Sequence, residues 1–403
     1  MSSTKPFTAQ HRDPYDTAVD AVGRKLQPLP RRNGEGSDIL GPRNPERERQ
    51  APDMVRPPST DHGTLANMKW SFADSHTRIE EGGWARQTTV RELPTSVELA
   101  GVNMRLDEGA EAEWAYVLEG RVRVTALDVE GGSFVGDVEK GDLWYFPAGF
   151  PHSLTGLGPG GCEFLLIFDD GNFSEDSTFL LSDFMAHVPR SVLAKNFRLA
   201  PEVFDSIPAK ERYIFSGSKP SNDLESDKPD RPDVQWSKLQ FTHKMLAQEP
   251  IQTPAGEVRI TDTNTFPLSK TVSAAHVTIK PGGIREMHWH PNADEWSYFI
   301  RGRARVTVFA SSNTARTFDY MAGDVGIVPK SMGHYVENIS DTDELEMLEI
   351  FRAPRFEDFS LEQWLASSPA RNVAEHLFQA NPKAGEQFIK ELRAGKTPVK
   401  PML

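Results

Sequence analysis

The chain carries its own landmarks twice. Gly83, Arg86 and Pro94 recur as Gly256, Arg259 and Pro267 at a constant offset of 173 positions. Glu113, Trp114, Tyr116, Gly120, Gly141-Asp142, Pro147 and His152 recur as Glu295, Trp296, Tyr298, Gly302, Gly323-Asp324, Pro329 and His334 at an offset of 182. Self-similarity on this scale means two copies of one folding unit. A chain of 403 residues therefore resolves into a tandem rather than one oversized core. Between the landmarks lie short runs such as Ser96-Val-Glu-Leu-Ala, Ala115-Tyr-Val-Leu-Glu-Gly-Arg-Val-Arg-Val-Thr and Phe164-Leu-Leu-Ile-Phe, punctuated by Gly and Asp. Many short strands at regular spacing predict an antiparallel sandwich or barrel, so the fold class is all-β, two barrels in tandem. Short helices are predicted after each barrel, the first stretch of helical turns being Ser182-Asp-Phe-Met-Ala-His-Val-Pro-Arg-Ser-Val-Leu-Ala-Lys-Asn-Phe.

The two offsets differ by nine, and the difference falls at one place. The first copy runs from Asp107-Glu-Gly-Ala110 straight into Glu111-Ala-Glu113-Trp114, where the second copy has Ile284 to Asn292. Glu113 to His152 and Glu295 to His334 both span 39 positions, so the loss is local. Nine residues at about 3.3 Å each are roughly 30 Å of extended chain. One inner strand is thus expected to be missing from the first barrel, which must gape or change register.

The segment present only in the second copy carries chemistry. His288 and His290 stand two apart, Glu295 follows, and His334 lies beyond the Gly323-Asp324 turn. On neighbouring extended strands the first three can face one interior point, and His334 is a fourth candidate ligand. Three imidazoles and a carboxylate suit a divalent first-row metal, and an octahedral ion would keep two positions open. With neutral histidines the site keeps about one net positive charge, which favours a small anionic guest. The ligand types alone admit Mn, Fe, Co, Ni, Cu or Zn. Glu349 sits in the apolar strand Met347-Leu-Glu-Ile-Phe; an unpaired carboxyl there is held protonated and can act as an acid. Its counterpart in the first copy is Leu166. Arg285 lies three residues before His288, so strict alternation turns it to the opposite face unless a bulge reorients it. His76, His187, His243 and His376 read as structural, and Trp114, Trp296, Tyr116 and Tyr298 as core.

Composition narrows the rest. A formal charge of -13 opposes nucleic acid as a partner, because that surface needs a basic excess. Cys162 is the single cysteine, which excludes an internal disulfide framework and suits a reducing compartment. No apolar leader or spanning stretch is legible, so a soluble, cytoplasmic protein is expected. The expected boundaries are an extended arm at 1–62, a first barrel domain at 63–215, a polar Pro-rich linker at 216–234 and a second barrel domain at 235–403. The arm, mixed in charge and without a periodic apolar face, reads as a solvated extension that packs across a neighbouring subunit of a homo-oligomer.

These residues, with Ile39-Leu-Gly-Pro-Arg-Asn-Pro-Glu, Pro58-Ser-Thr-Asp-His-Gly-Thr-Leu, Gly101-Val-Asn-Met-Arg-Leu, Gly141-Asp-Leu-Trp-Tyr-Phe-Pro and Trp364-Leu-Ala, resemble the bicupin oxalate decarboxylases, specifically fungal members. The resemblance implies two cupin (jelly-roll) barrels with manganese in each, and conversion of oxalate to formate and carbon dioxide with dioxygen required but not consumed. It implies metal binding by His288, His290, Glu295 and His334, substrate polarisation by Arg285 and proton donation by Glu349, which sets aside the alternation argument for Arg285. In the first domain the family also has a His-x-His pair, an arginine before it, and a mobile lid whose glutamate donates the proton. Here only Glu113, His152 and a lid-like Ser174-Glu175-Asp176-Ser177-Thr178 remain. Two ligands are too few to hold manganese against water, so one manganese per chain is expected. Two other outcomes accompany that reading: oxidation of oxalate to carbon dioxide and hydrogen peroxide, and a non-catalytic metal- or anion-binding bicupin.

Overall fold

The computed structural model describes residues 41–394 except 43, 56, 59, 109–114, 175–177 and 210–212. Two compact units emerge, each a pair of antiparallel sheets followed by short helices. The duplication read from the sequence is thus a duplication of the fold. Among the described residues no helix is long and apolar enough to cross a membrane.

In the unit that contains most of the second copy, one sheet runs in the order Lys69–Ser71, Asp324–Val328, Glu295–Arg301, Leu345–Phe351, Ser273–Ile279, Gly256–Thr261 and Ile251–Thr253. The facing sheet runs Ala315–Met321, Arg303–Phe309, Gly333–Asn338, Ile284–Trp289 and Phe359–Ser360. Gly302 makes the corner between Glu295–Arg301 and Arg303–Phe309 with a φ of 88°, and a Cβ there would stand 2.5 Å from the Glu344 carbonyl oxygen. Only glycine fits both demands. Inside, Trp296, Phe299, Phe318, Ile350 and Phe351 are buried, each worth about 2 kcal/mol of apolar transfer.

The other unit repeats the plan. Cys162–Phe168 pairs with Ala100–Leu106 and with the long bent strand Ala115–Leu127, and the latter continues into a second sheet with Ser133–Glu139 and His152–Gly156. Tyr116, Trp144, Phe164 and Cys162 are core residues, and burial pushes the Cys162 thiol up to about 12. A buried guanidinium fork is kept at the 182 offset: Arg123 on Asp137 at 2.8 and 2.9 Å, Arg305 on Asp319 at 2.6 and 2.7 Å. Such planar two-point pairs satisfy both charges without water.

No counterpart of Ile284–Trp289 occurs among the described residues of this unit. The strand His152–Gly156 pairs with Ala115–Leu127 on one side, while its other edge meets an isolated parallel bridge from Glu108 to Gly156. The expected change of register does not follow. Ala126 faces His152 and Val122 faces Gly156, as Val308 faces His334 and Ala304 faces Asn338. The surviving ladder holds its register because a one-residue slip would turn Val122, Val124 and Leu154 out of the core.

Each unit also borrows a strand from far along the chain. Lys69–Ser71 covers the edge of Asp324–Val328, with Lys69 Nζ 3.2 Å from Asp324 Oδ2. Thr242–His243 covers Leu143–Trp144, with Lys244 Nζ 3.5 Å from Asp142 Oδ2. The segment before Lys69 includes the short helix Pro52–Val55, which packs against Ala315–Met321 and buries Asp53. Burial and the neighbouring Asp319 push the Asp53 carboxyl up to about 7, against the pull of Lys69. A carboxyl raised in the folded state binds its proton where the unfolded chain has released it, so stability is full below about pH 4 and falls as pH rises towards 7. Asp53→Asn is expected to unfold at the same temperature as the parent at pH 4. At pH 8 it should be more stable by about 2 kcal/mol, checked by thermal denaturation at both values.

Candidate metal centre

The strand Ile284–Trp289 does not alternate. Its register against Gly333–Asn338 shifts between Arg285 and His288, leaving Glu286 and the exposed Met287 between two buried side chains. This bulge corrects the alternation argument: it turns Arg285 and His288 to the same, inner face. His288 lies directly opposite His334, with ring centroids 4.1 Å apart. Glu295 opens the strand Glu295–Arg301, and Ser297, two residues on, donates its hydroxyl to Glu295 Oε1 at 2.5 Å.

One ligand atom from each of His288, His290, Glu295 and His334 lies within 4.8 Å of the others, and all four residues are buried. The tautomers are fixed from behind. Nδ1 of His288 donates to the Glu286 carbonyl at 2.6 Å, Nδ1 of His290 to the Glu357 carbonyl at 2.8 Å, and Nδ1 of His334 to the Met332 carbonyl at 3.0 Å. Every Nε2 is therefore left to face the interior. There His290 Nε2 and His334 Nε2 each stand 3.0 Å from Glu295 Oε2, and His288 Nε2 is buried without a hydrogen-bond partner. Lone pairs do not face a carboxylate at that distance unless a proton or a cation lies between them. The donor set fits a divalent metal: neutral imidazole nitrogens, one carboxylate, and an orphaned nitrogen aimed at the same point.

The electrostatics of the four side chains point the same way. Burial would raise Glu295, but His334 and His290 hold its carboxyl well below the usual range. Burial lowers His290, yet the bond and charge of Glu295 outweigh it and the net shift is upward. His288, desolvated and close to Arg285, is held well below its usual value.

Beside this cluster Arg285 Nε donates to Glu349 Oε1 at 3.3 Å, and Arg285 Nη2 donates to Asp358 Oδ2 at 2.9 Å. Glu349 is wholly buried, and its Oε2 has no hydrogen-bond partner. Burial raises its carboxyl, Arg285 opposes and Glu295 adds to the rise, leaving it above the usual range. Glu349 pairs with Ala275 across the sheet as Leu166 pairs with Val102, so the apolar counterpart read from the sequence is also the structural one.

In the first copy, Glu113 and Glu175 lie outside the described residues. His152 is half-buried, with Nδ1 on the Phe150 carbonyl at 2.7 Å and its ring stacked on Phe146 at 4.1 Å. No second cluster of potential metal ligands occurs among the described residues, and His76, His187, His243 and His376 join none. Sequence reasoning missed Asp358 and Ser297. The only signal for Asp358 was its place in the segment after the Glu349 strand, where the first copy has its lid-like stretch.

A cupin family model matches residues 72–205 and 243–385. Oxalate decarboxylase OxdC of Bacillus subtilis is 51% identical over 380 residues, covering 92% of this chain and 96% of the relative. The chain belongs to the bicupin oxalate decarboxylase family. A probable oxalate decarboxylase of Arthroderma benhamiae is 38% identical over 395 residues, covering 93% of this chain and 96% of its own length. The resemblance thus reaches across the family rather than to its fungal members alone. A solved structure of the Bacillus subtilis protein, studied for its Mn(II) centres, superposes with a TM-score of 0.86 at 50% identity, covering 94% of this chain and 100% of that one. Another oxalate decarboxylase structure, studied for its substrate binding mode and reaction specificity, gives 0.86 at 49% identity over 93% and 99%.

Proposed function

We propose that this protein is a manganese-dependent oxalate decarboxylase, a carboxy-lyase, whose only complete site lies in the second copy. The observation that carries the reading is the pairing of a closed four-ligand cluster with a buried carboxyl and a buried guanidinium on the same interior face. His288, His290, Glu295 and His334 would hold the ion. Bound manganese, with dioxygen as co-catalyst, supplies an anchor for one oxalate carboxylate and an acceptor for an electron.

The residues themselves do the remainder. Arg285 takes the oxygen charge of the second carboxylate through its planar donors, in a site dry enough for that bond to be strong. Glu349, whose carboxyl burial shifts toward the protonated form, gives its proton to the carbon left when carbon dioxide departs. Hydrogen oxalate then yields one formate and one carbon dioxide, and the next substrate proton restores the acid. Glu113 and His152 remain as a vestigial pair without the histidines that would complete a second site, and the Glu175 segment has no complete centre to close over. The unit is read as one member of a homo-oligomer.

The manganese-loaded protein should hold one manganese per chain and release formate and carbon dioxide in equal amounts from oxalate. Two manganese ions per chain would overturn the single-site account. Hydrogen peroxide without formate would mark oxalate oxidation instead.

A further inference from the structure

A five-residue strap crosses the metal cluster. Phe356 sets its ring 5.5 Å from that of His290, and the Glu357 carbonyl accepts from His290 Nδ1. Phe359 and Ser360 pair with Trp289 and His288. Asp358, between them, reaches past both histidines to Arg285. The strap is pinned at each position to a strand that carries the site, so the Asp358 carboxylate has little freedom to move away. Its side chain is 2% exposed and that of Arg285 3%. Two carboxyl groups therefore share one buried guanidinium before any substrate arrives.

We infer that Asp358 is a positioning residue: it fixes the Arg285 guanidinium beside Glu349 and competes with the incoming oxalate carboxylate for that same charge. The inference rests on the reading that Arg285 receives substrate. Two consequences oppose one another in a measurable way. Holding the planar fork in one orientation keeps the substrate carbon within reach of Glu349, which favours turnover. Occupying part of the fork's charge weakens the ground-state complex, because a buried cation with an internal partner gives less to a second anion. Binding energy is then withheld from the bound substrate and kept for the transition state.

The test uses full-length, manganese-loaded protein and Asp358→Asn, which keeps shape and an acceptor oxygen but removes the charge. Oxalate binding is measured by calorimetry under argon, formate release in air, and manganese by elemental analysis. The expected result is unchanged manganese, oxalate bound about tenfold more tightly, and kcat lower by about a hundredfold. A merely structural role would appear as lost manganese, or as weaker binding together with lower kcat, and either outcome overturns the inference. Asp358→Glu keeps the charge on a longer stem, so binding should stay at the parent value while kcat falls; tighter binding in that variant also overturns it, and the measurement stands even where the asparagine protein does not accumulate. Arg285→Gln separates the two levels of argument. If it leaves oxalate affinity unchanged, the reading of Arg285 as substrate receptor fails. If it abolishes binding while Asp358→Asn alters neither affinity nor kcat, only the role given to Asp358 fails.

Discussion

Glu349→Gln should lower formate release by about a thousandfold at saturating oxalate, the scale of a lost proton donor. Manganese content should stay at the parent level. The amide matches the carboxyl in shape, and Glu349 lies outside the four-ligand cluster, so the ion's immediate environment is unchanged. What disappears is a carboxyl that burial shifts toward its protonated form and whose second oxygen has no hydrogen-bond partner. Carbon dioxide still leaves the substrate, but the carbon behind it has no acid. Stability should move the other way: a carboxyl with a raised folded value is favoured when protonated, and its contribution drains away as pH rises through that value. The glutamine protein should therefore resist unfolding better than the parent in alkaline buffer. Formate assay, elemental analysis and thermal denaturation together check these outcomes; normal formate release would remove Glu349 from the chemistry.

Glu295→Gln should empty the site. Glu295 is the anionic member of the four-residue cluster and the counter-charge for two buried histidines. Removing one partner of a buried ionic set costs about 3–5 kcal/mol, hence a loss of about a thousandfold in manganese affinity. The pH dependence has a definite sign. Glu295, depressed in the folded state, stabilises above the normal carboxylate range and loses that contribution as pH falls through its lowered value. His290, raised, stabilises below its normal value and loses that contribution as pH rises through the raised one. The parent without metal should thus show a stability plateau between these limits, and the glutamine protein should lack it. Manganese binding to the parent should release protons, more of them at lower pH. Calorimetry in buffers of different ionisation heat measures that release directly, and parent-like manganese affinity in the glutamine protein would remove Glu295 from the ligand set.

The tandem and the cluster of four side chains were legible in the sequence because each rests on spacing. His288, Glu295 and His334 lie on the strands Ile284–Trp289, Glu295–Arg301 and Gly333–Asn338, and His290 follows His288 by two positions just past the end of the first. Arg285 was not legible from its own neighbourhood, since the bulge that turns it inward is a property of pairing with Gly333–Asn338. Asp358 was hidden for a similar reason: its meaning comes from a loop that folds back 73 residues onto Arg285. The persistence of register among the described strands of the first copy also lay beyond local reading, because it depends on their buried contacts.

The borrowed strands carry a consequence for inheritance. Lys69–Ser71 closes a sheet edge whose other members are encoded some 180 to 280 residues later, and Thr242–His243 closes an edge encoded a hundred residues earlier. A recombination event at the polar linker would deliver the second barrel with its ligands intact but with Asp324–Val328 bare, an open row of backbone donors and acceptors. The two copies arose as repeats, yet they can no longer be traded as modules. Any lineage that exchanges one of them must also exchange the edge strand, or begin to aggregate along it.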